Sequence, residues 1–168
     1  MQRGADASLD EVAKHAQVGI GTLYRHFPTR EALLGAACDE RLSELAQQSR
    51  QRAARVAPGE ALCVFLEALV RHASVYRGLA ASLGIVLKNG SSGCHATTEE
   101  GLRLLSLAQE SGEIRSDIAF DDIVCMATAI SLTTAQDAPG GRRIDRLVSM
   151  FVDGLRVRAP KASRGPRS

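Results

Sequence analysis

Residues Ala7 to Leu34 read ASLDEVAKHAQVGIGTLYRHFPTREALL, and the reading of this stretch decides the fold. Ser8 followed by Glu11 is a capping box: the hydroxyl can accept from a first-turn amide while the carboxylate reaches back to the cap amide. A helix therefore opens at Leu9. Leu9, Val12, Ala13 and Ala16 recur at helical spacing, and the helix ends near Gln17, Val18 and Gly19. A second short helix, about Ile20 to His26, sets Leu23 and Phe27 one turn apart on an inward face and leaves Gly21, Thr22, Arg25 and His26 outward. Pro28 stops it, and Thr29 caps a long helix running to about Val56. Two short helices thus meet at a tight corner ahead of a long one.

Outward from this stretch the pattern stays helical. Leu34, Cys38, Leu42, Leu45, Ser49 and Ala53 form one stripe of the long helix, and its other face, with Arg41, Glu44, Gln48 and Arg52, suits solvent. Pro58 and Gly59 mark a boundary. From Glu60 to Tyr76, Leu62, Phe65, Leu66, Leu69, Val70 and Ala73 repeat at helical spacing, and Leu79, Leu83, Val86 and Leu87 make a shorter helix. The run Asn89-Gly90-Ser91-Ser92-Gly93 is expected to be a mobile loop. A helix from Thr98 to Ser111 should follow, closed by Gly112 as a left-handed cap. The segment Asp121 to Ala135 is apolar on nearly every side, and Arg142 to Arg158 carries Ile144, Leu147, Val148, Phe151, Val152 and Leu155 in a heptad-like stripe. The tail Ala159 to Ser168 has nothing to bury and is expected to be disordered. There is no internal repeat.

Composition agrees with an all-α fold. The chain has 168 residues and 45% hydrophobic content, enough to bury a core, while 4% aromatics and no Trp leave the packing to small and aliphatic side chains. A net charge of +2 is too weak to establish a polyanion partner, so any nucleic-acid contact must come from a local surface. Cys38, Cys63, Cys94 and Cys125 are widely spread, with no zinc-ligand spacing, and read as structural thiols of a reduced compartment. No apolar run approaches the roughly 18 residues of a membrane span, and the first residues lack the apolar stretch of a signal peptide, so a cytoplasmic protein is expected.

The ordered combination of capped helix, short turn, G-T-L-Y-R-H-F helix and T-R-E-A-L start of a connecting helix closely resembles the DNA-binding segment of the TetR family of transcriptional regulators. Arg77 to Ala80 and Ala108 to Asp117 resemble one actinobacterial-style branch of the family more loosely. The resemblance implies a helix-turn-helix DNA-binding domain with its connecting helix at 1–56, a ligand-binding and dimerisation domain at 57–158, and a basic tail at 159–168. It also implies a helix ahead of the capping box, of which Met1 to Gly4 would be the remnant. Leu9, Val12 and Leu33 should then lose part of their cover, and a start placed too far downstream, or a shortened chain, is the preferred explanation. Gln17 stands where the family usually has a turn glycine, at a cost of about 1 kcal/mol if the residue is left-handed.

On the family's pattern, Thr22, Tyr24 and His26 contact phosphates or base edges of operator DNA. Arg25 lies on the outward face, Arg30 pairs a phosphate, Ser8 adds a contact at its helix start, and the small Gly19 and Gly21 let the backbone come close. The effector site is expected among the helices from Glu60 to Ala135, with Phe65, Leu69, His72, Tyr76, Met126, Ile130 and Thr133 as candidate lining. Ile123, Ile130, Leu147, Phe151 and Leu155 are candidates for a two-fold dimer interface. The function implied is a dimeric regulator, most often a repressor in this family, that binds a palindromic operator and is released when an unidentified small molecule shifts the long helix. No cofactor or metal is expected.

Two other readings compete. A truncated sensor would bind ligand and dimerise without binding DNA. An enzyme would have to use the one polar gathering worth inspecting, His72 and His95 with Cys94, Glu99 and Glu100, and no nucleophile elbow, phosphate loop or metal spacing supports it.

Overall fold

The computed structural model describes residues 8–75, 83–88, 91–134 and 141–157. Eight helices account for most of them: α1 (Leu9–His15), α2 (Ile20–His26), α3 (Arg30–Ala53), α4 (Pro58–Val75), α5 (83–88), α6 (Ser92–Glu110), α7 (Phe120–Thr134) and α8 (Arg142–Leu155). The expected remnant at 1–4, Tyr76, the start of the loop at 89–90 and the tail at 159–168 lie outside the described residues.

The capping box forms as read: the Glu11 amide donates to Ser8 Oγ at 3.2 Å and the Ser8 amide to Glu11 Oε2 at 2.9 Å. α1 then ends in a Schellman motif, in which the Val18 amide donates to Ala13 O and the Gln17 amide to Lys14 O. Such a motif needs a left-handed residue, and Gln17 supplies it with φ 57°. α6 closes in the same way, with Gly112 at φ 74° and the Glu113 amide donating to Ala108 O. Glycine carries no Cβ penalty in that region, whereas glutamine does. Gln17→Gly is therefore expected to raise stability by about 1 kcal/mol, less what the freer unfolded chain takes back. Urea unfolding of the two chains measures this, and a destabilised variant would show that the turn is not strained.

Pro58 stands not at the end of a boundary but as the first residue of α4, where its missing N–H is no loss. α4 is the central helix, packed against α3, α6, α7 and α8. Its Leu62, Phe65, Leu66, Leu69, Val70 and Ala73 are buried in one core with Leu83, Val86 and Leu87 of α5. Leu104 of α6, Ile123 of α7 and Val148 of α8 complete that core. The loop from α6 to α7 is tied back by Gln109, whose side-chain amide donates to the carbonyls of Arg115 and Ile118. It is pinned to the end of α8 by an isolated bridge between Ile114 and Arg156.

The closest helix pairing joins α3 to α6, and here the sequence reading needs correction. Ser92 and Gly93 belong to α6 rather than to a loop, and Gly93 is buried. A Cβ at Gly93 would lie 2.2 Å from the Asp39 carbonyl oxygen, so only glycine admits this approach of two backbones. Asp39 crowns the start of α6, accepting from the Gly93 amide at 2.5 Å. Ser91 Oγ donates to Gly35 O, and Thr97 Oγ1 donates to Leu42 O at 3.0 Å. One turn further along, the carboxylate of Glu100, with no side-chain exposure, is held by Arg103 through two bonds of 2.8 Å. Ser49 at 2.8 Å and Arg50 at 3.2 Å, both on α3, complete its partners. α3, the helix that carries the head, is thereby fastened to the larger bundle along most of its length.

Candidate DNA-reading face and effector cleft

The head is small: α1 and α2 pack on each other through buried Ala13 and Leu23, with Leu9, Val12 and Leu33 half-buried around them. At about 100° per residue from buried Leu23, Gly21 and Arg25 of α2 fall on the opposite face, Thr22 and Tyr24 lie on its two flanks and His26 lies nearer the inward side, while Phe27 is the C-cap that follows the helix. Gly21, Thr22, Tyr24, Arg25 and His26 are all exposed, Tyr24 to 47%, too open for a tyrosine packed into its own domain. Gly19 is the N-cap of α2, and a Cβ at Gly21 would meet nothing within 4 Å. Arg30 opens α3 and is half-buried, and the Ser8 hydroxyl is already engaged as a cap. The eight residues proposed to meet DNA thus sit on the head and the start of α3.

The effector candidates divide. A cleft of about 200 Å³ opens between α3 and α4, lined by Arg41, Glu44, Gln48 and Arg52 on one side and by Val64, Phe65, Ala68 and His72 on the other. Phe65 and His72 therefore reach this cavity. Leu69 and Ile130 do not, because each is packed into the core, and Met126 and Thr133 lie on the exposed side of α7. More of this cleft's lining comes from α3 than from α4, whereas the effector site was expected among the helices from Glu60 to Ala135. Val64 and Ala68 extend the apolar surface of α4 beyond the core stripe, towards the face of α3 that was expected to be solvated. Burial holds the His72 imidazole below its ordinary pKa, Arg41 adds to this and Glu44 opposes it, so the ring is neutral at neutral pH.

Of the dimer candidates, Ile123, Ile130 and Leu155 are buried within the protomer. Leu147 and Phe151 remain half-buried on one flank of α8, beside Met150, which is 65% exposed. Met126 and Leu132 are exposed on α7. The polar gathering considered for an enzyme is dispersed over separate places. Cys94 is buried in the α3–α6 seam, His95 and Glu99 are exposed, Glu100 is locked in its ion network, and His72 faces the α3–α4 cleft. Cys38, Cys63, Cys94 and Cys125 are free thiols, and burial pushes Cys63 up to about 11, well above neutral pH. Among the described residues no helix is long and apolar enough to cross a membrane.

A capped two-helix corner with an open outward face, carried by a long helix on an α-helical bundle, defines a helix-turn-helix transcriptional regulator. Residues 1–37 match the family of bacterial regulatory proteins of the tetR type, and residues 57–157 match the C-terminal domain of SbtR-like transcriptional regulators. The chain belongs to the TetR family. It is 34% identical to a TetR transcriptional regulator from Streptomyces coelicolor, with a TM-score of 0.60 over 94% of this chain and 91% of that one. With a TetR regulatory protein from Mycobacterium vanbaalenii it shares 32% identity and a TM-score of 0.51, over 93% of this chain and 87% of the other. The fold is also that of Thermus thermophilus FadR, a TetR-family repressor solved with lauroyl-CoA, at 22% identity and a TM-score of 0.61, over 98% of this chain and 93% of that one. Among curated proteins it is 30% identical over 139 residues to the A-factor receptor protein of Streptomyces griseus, covering 79% of this chain and 49% of that protein. The chain thus spans about half the length of this curated relative.

Proposed function

We propose that this regulator is a homodimeric repressor that reads a palindromic operator with α2 and lets go of it when a small molecule binds. The observation that carries the reading is the outward face of α2, where Gly21, Thr22 and Arg25 stand clear of the head while Leu23 anchors it. A helix presented in this way fits a major groove about 12 Å wide, with Tyr24, His26, Arg30 and Ser8 placed to steady it against phosphates. Leu147, Met150 and Phe151 of α8, with Met126 and Leu132 of α7, give a second copy an apolar surface, and a two-fold pair reads a two-fold site. The relative named as a receptor supports ligand response, and FadR is a repressor solved with an acyl-CoA. Release requires that the ligand bind better to the state in which the α2 helices of the pair do not match successive major grooves. A cytoplasmic location and division into a DNA-binding part at 1–56 and a ligand-binding and dimerising part at 57–158 belong to the same proposal.

The test is titration of the DNA upstream of its own gene with the full chain over a salt series, alongside light scattering for the mass. The expected result is a dimer binding one palindromic site, with affinity falling steeply in salt and weakened about tenfold or more by Thr22→Ala or Tyr24→Ala. A folded dimer that binds no DNA at low salt would overturn the repressor and favour a ligand sensor that acts without DNA.

A further inference from the structure

The α3–α4 cleft combines two features that a solvated helix face does not show together. Its floor is apolar: Leu45, Ala61 and Phe65 are buried, and Val64 and Ala68 beside them line the cavity while still partly exposed. Its rim is polar, with Arg41, Glu44 and Arg52, and with Gln48, Ser49 and neutral His72 as hydrogen-bonding groups. Arg50 and Arg103, nearby in sequence or in the bundle, are tied to Glu100, whereas Arg52 has no ion-pair partner among the described residues. A guanidinium in that position is suited to receive a carboxylate through two parallel bonds. The volume, about 200 Å³, lies below the 300–1,000 Å³ usual for sites that enclose drug-sized molecules. The occupant is therefore small: one short alkyl chain or one ring.

We propose that this cleft is a binding site for a small anionic amphiphile, its apolar body on Val64, Phe65 and Ala68 and its acidic head at Arg52. Only the further role of that molecule as effector rests on the repressor reading above. In that role the cleft has a direct consequence. Its α3 wall is the same helix that starts at the head, so an occupant bears on the DNA-reading element without a relay through the core.

Octanoate is the probe, with octylammonium and octanol as charge-reversed and neutral controls, titrated without DNA into the full chain carrying labelled alanine methyls. Octanoate is expected to bind saturably and to move Ala61 and Ala68 while leaving Ala127 and Ala129 of α7 in place, and octylammonium is expected to bind at least tenfold more weakly. Arg52→Glu should reverse that order. Ala68→Leu, which fills the floor, should weaken octanoate about tenfold in a chain whose unfolding midpoint is kept. The inference is overturned if octanol or octylammonium binds as well as octanoate, if the shifts gather on α7, or if octanoate does not saturate. None of these results touches operator binding, which the promoter titration reports alone. Octanoate bound in the cleft without change in operator affinity would uphold the site and refute only its role in release.

Discussion

Arg103→Met is expected to destabilise the fold by about 3 kcal/mol, and to lessen the loss of stability that acid brings. Glu100 has no side-chain exposure, and Arg103 gives it both of its charge-assisted 2.8 Å bonds. Removing one partner of a buried pair typically costs 3–5 kcal/mol because the other charge is stranded. The lower end applies here, since Ser49 and Arg50 still reach the carboxylate. In the parent chain, burial pushes the Glu100 carboxyl up, but the bonds from Arg103 and Ser49, the charge of Arg103 and the bond from Arg50 together hold it below its ordinary value. A depressed native pKa contributes stability that is fully present above the unfolded value, about 4.3, and is lost as pH falls through the native one. In the variant the bonds and charge of Arg103 are gone while burial still pushes the carboxyl up, so the native pKa rises from its parent position and less stability is lost as pH falls. Urea unfolding at neutral pH reads the loss, and a series carried below about pH 4.3 reads the smaller acid dependence. As a control, Lys88→Met breaks the exposed pair with Asp121 and should cost well under 1 kcal/mol. A variant no less stable than this control would mean that Glu100 is not a load on the α3–α6 seam.

The contrast between these two acidic pairs also shows what the sequence could reveal. Helix-turn-helix signals are local: Ser8 with Glu11, the left-handed step at Gln17, and Leu23 with Phe27 each depend on residues within one or two turns, and each is found where the spacing put it. Contacts between distant helices leave no such mark. Gly93 beside two serines reads as loop chemistry, yet it is there to let α3 and α6 touch, which depends on Asp39, 54 residues away. Ile123 and Ile130 sit on a helix apolar all round, a pattern that fits either a dimer face or an internal core, and only the packing of α4 and α8 against α7 decides for the core. The α3–α4 cleft leaves no local mark for the same reason. Arg41, Glu44, Gln48 and Arg52 have the spacing of a solvated face, and what they overlook, Val64 and Ala68, lies on another helix.

The outward face of α2 permits a substitution that separates folding from DNA binding, because at Gly21 a side chain would project into open space. Gly21→Glu is expected to leave the fold as stable as the parent or more so. Glycine inside an exposed helix costs about 0.5–1 kcal/mol relative to alanine, and an acidic residue in the first helical turn is favoured by the helix dipole. Operator affinity should nevertheless fall at least 100-fold, about 2.7 kcal/mol. Two effects act together: the added side chain stands between α2 and the floor of the groove, and its carboxylate meets the phosphates that Arg25 and Arg30 would otherwise attract. Gly21→Ala, which adds only a methyl group, should gain the stability and keep most of the affinity. The measurement is promoter titration with each variant next to its thermal unfolding midpoint. Gly21→Glu binding as tightly as the parent would show that α2 does not enter the groove, and the DNA-reading face would then have to be sought elsewhere on the head. Loss of binding together with loss of the unfolding midpoint would instead contradict the open space seen at Gly21, whereas loss of binding with the midpoint intact assigns the groove to α2.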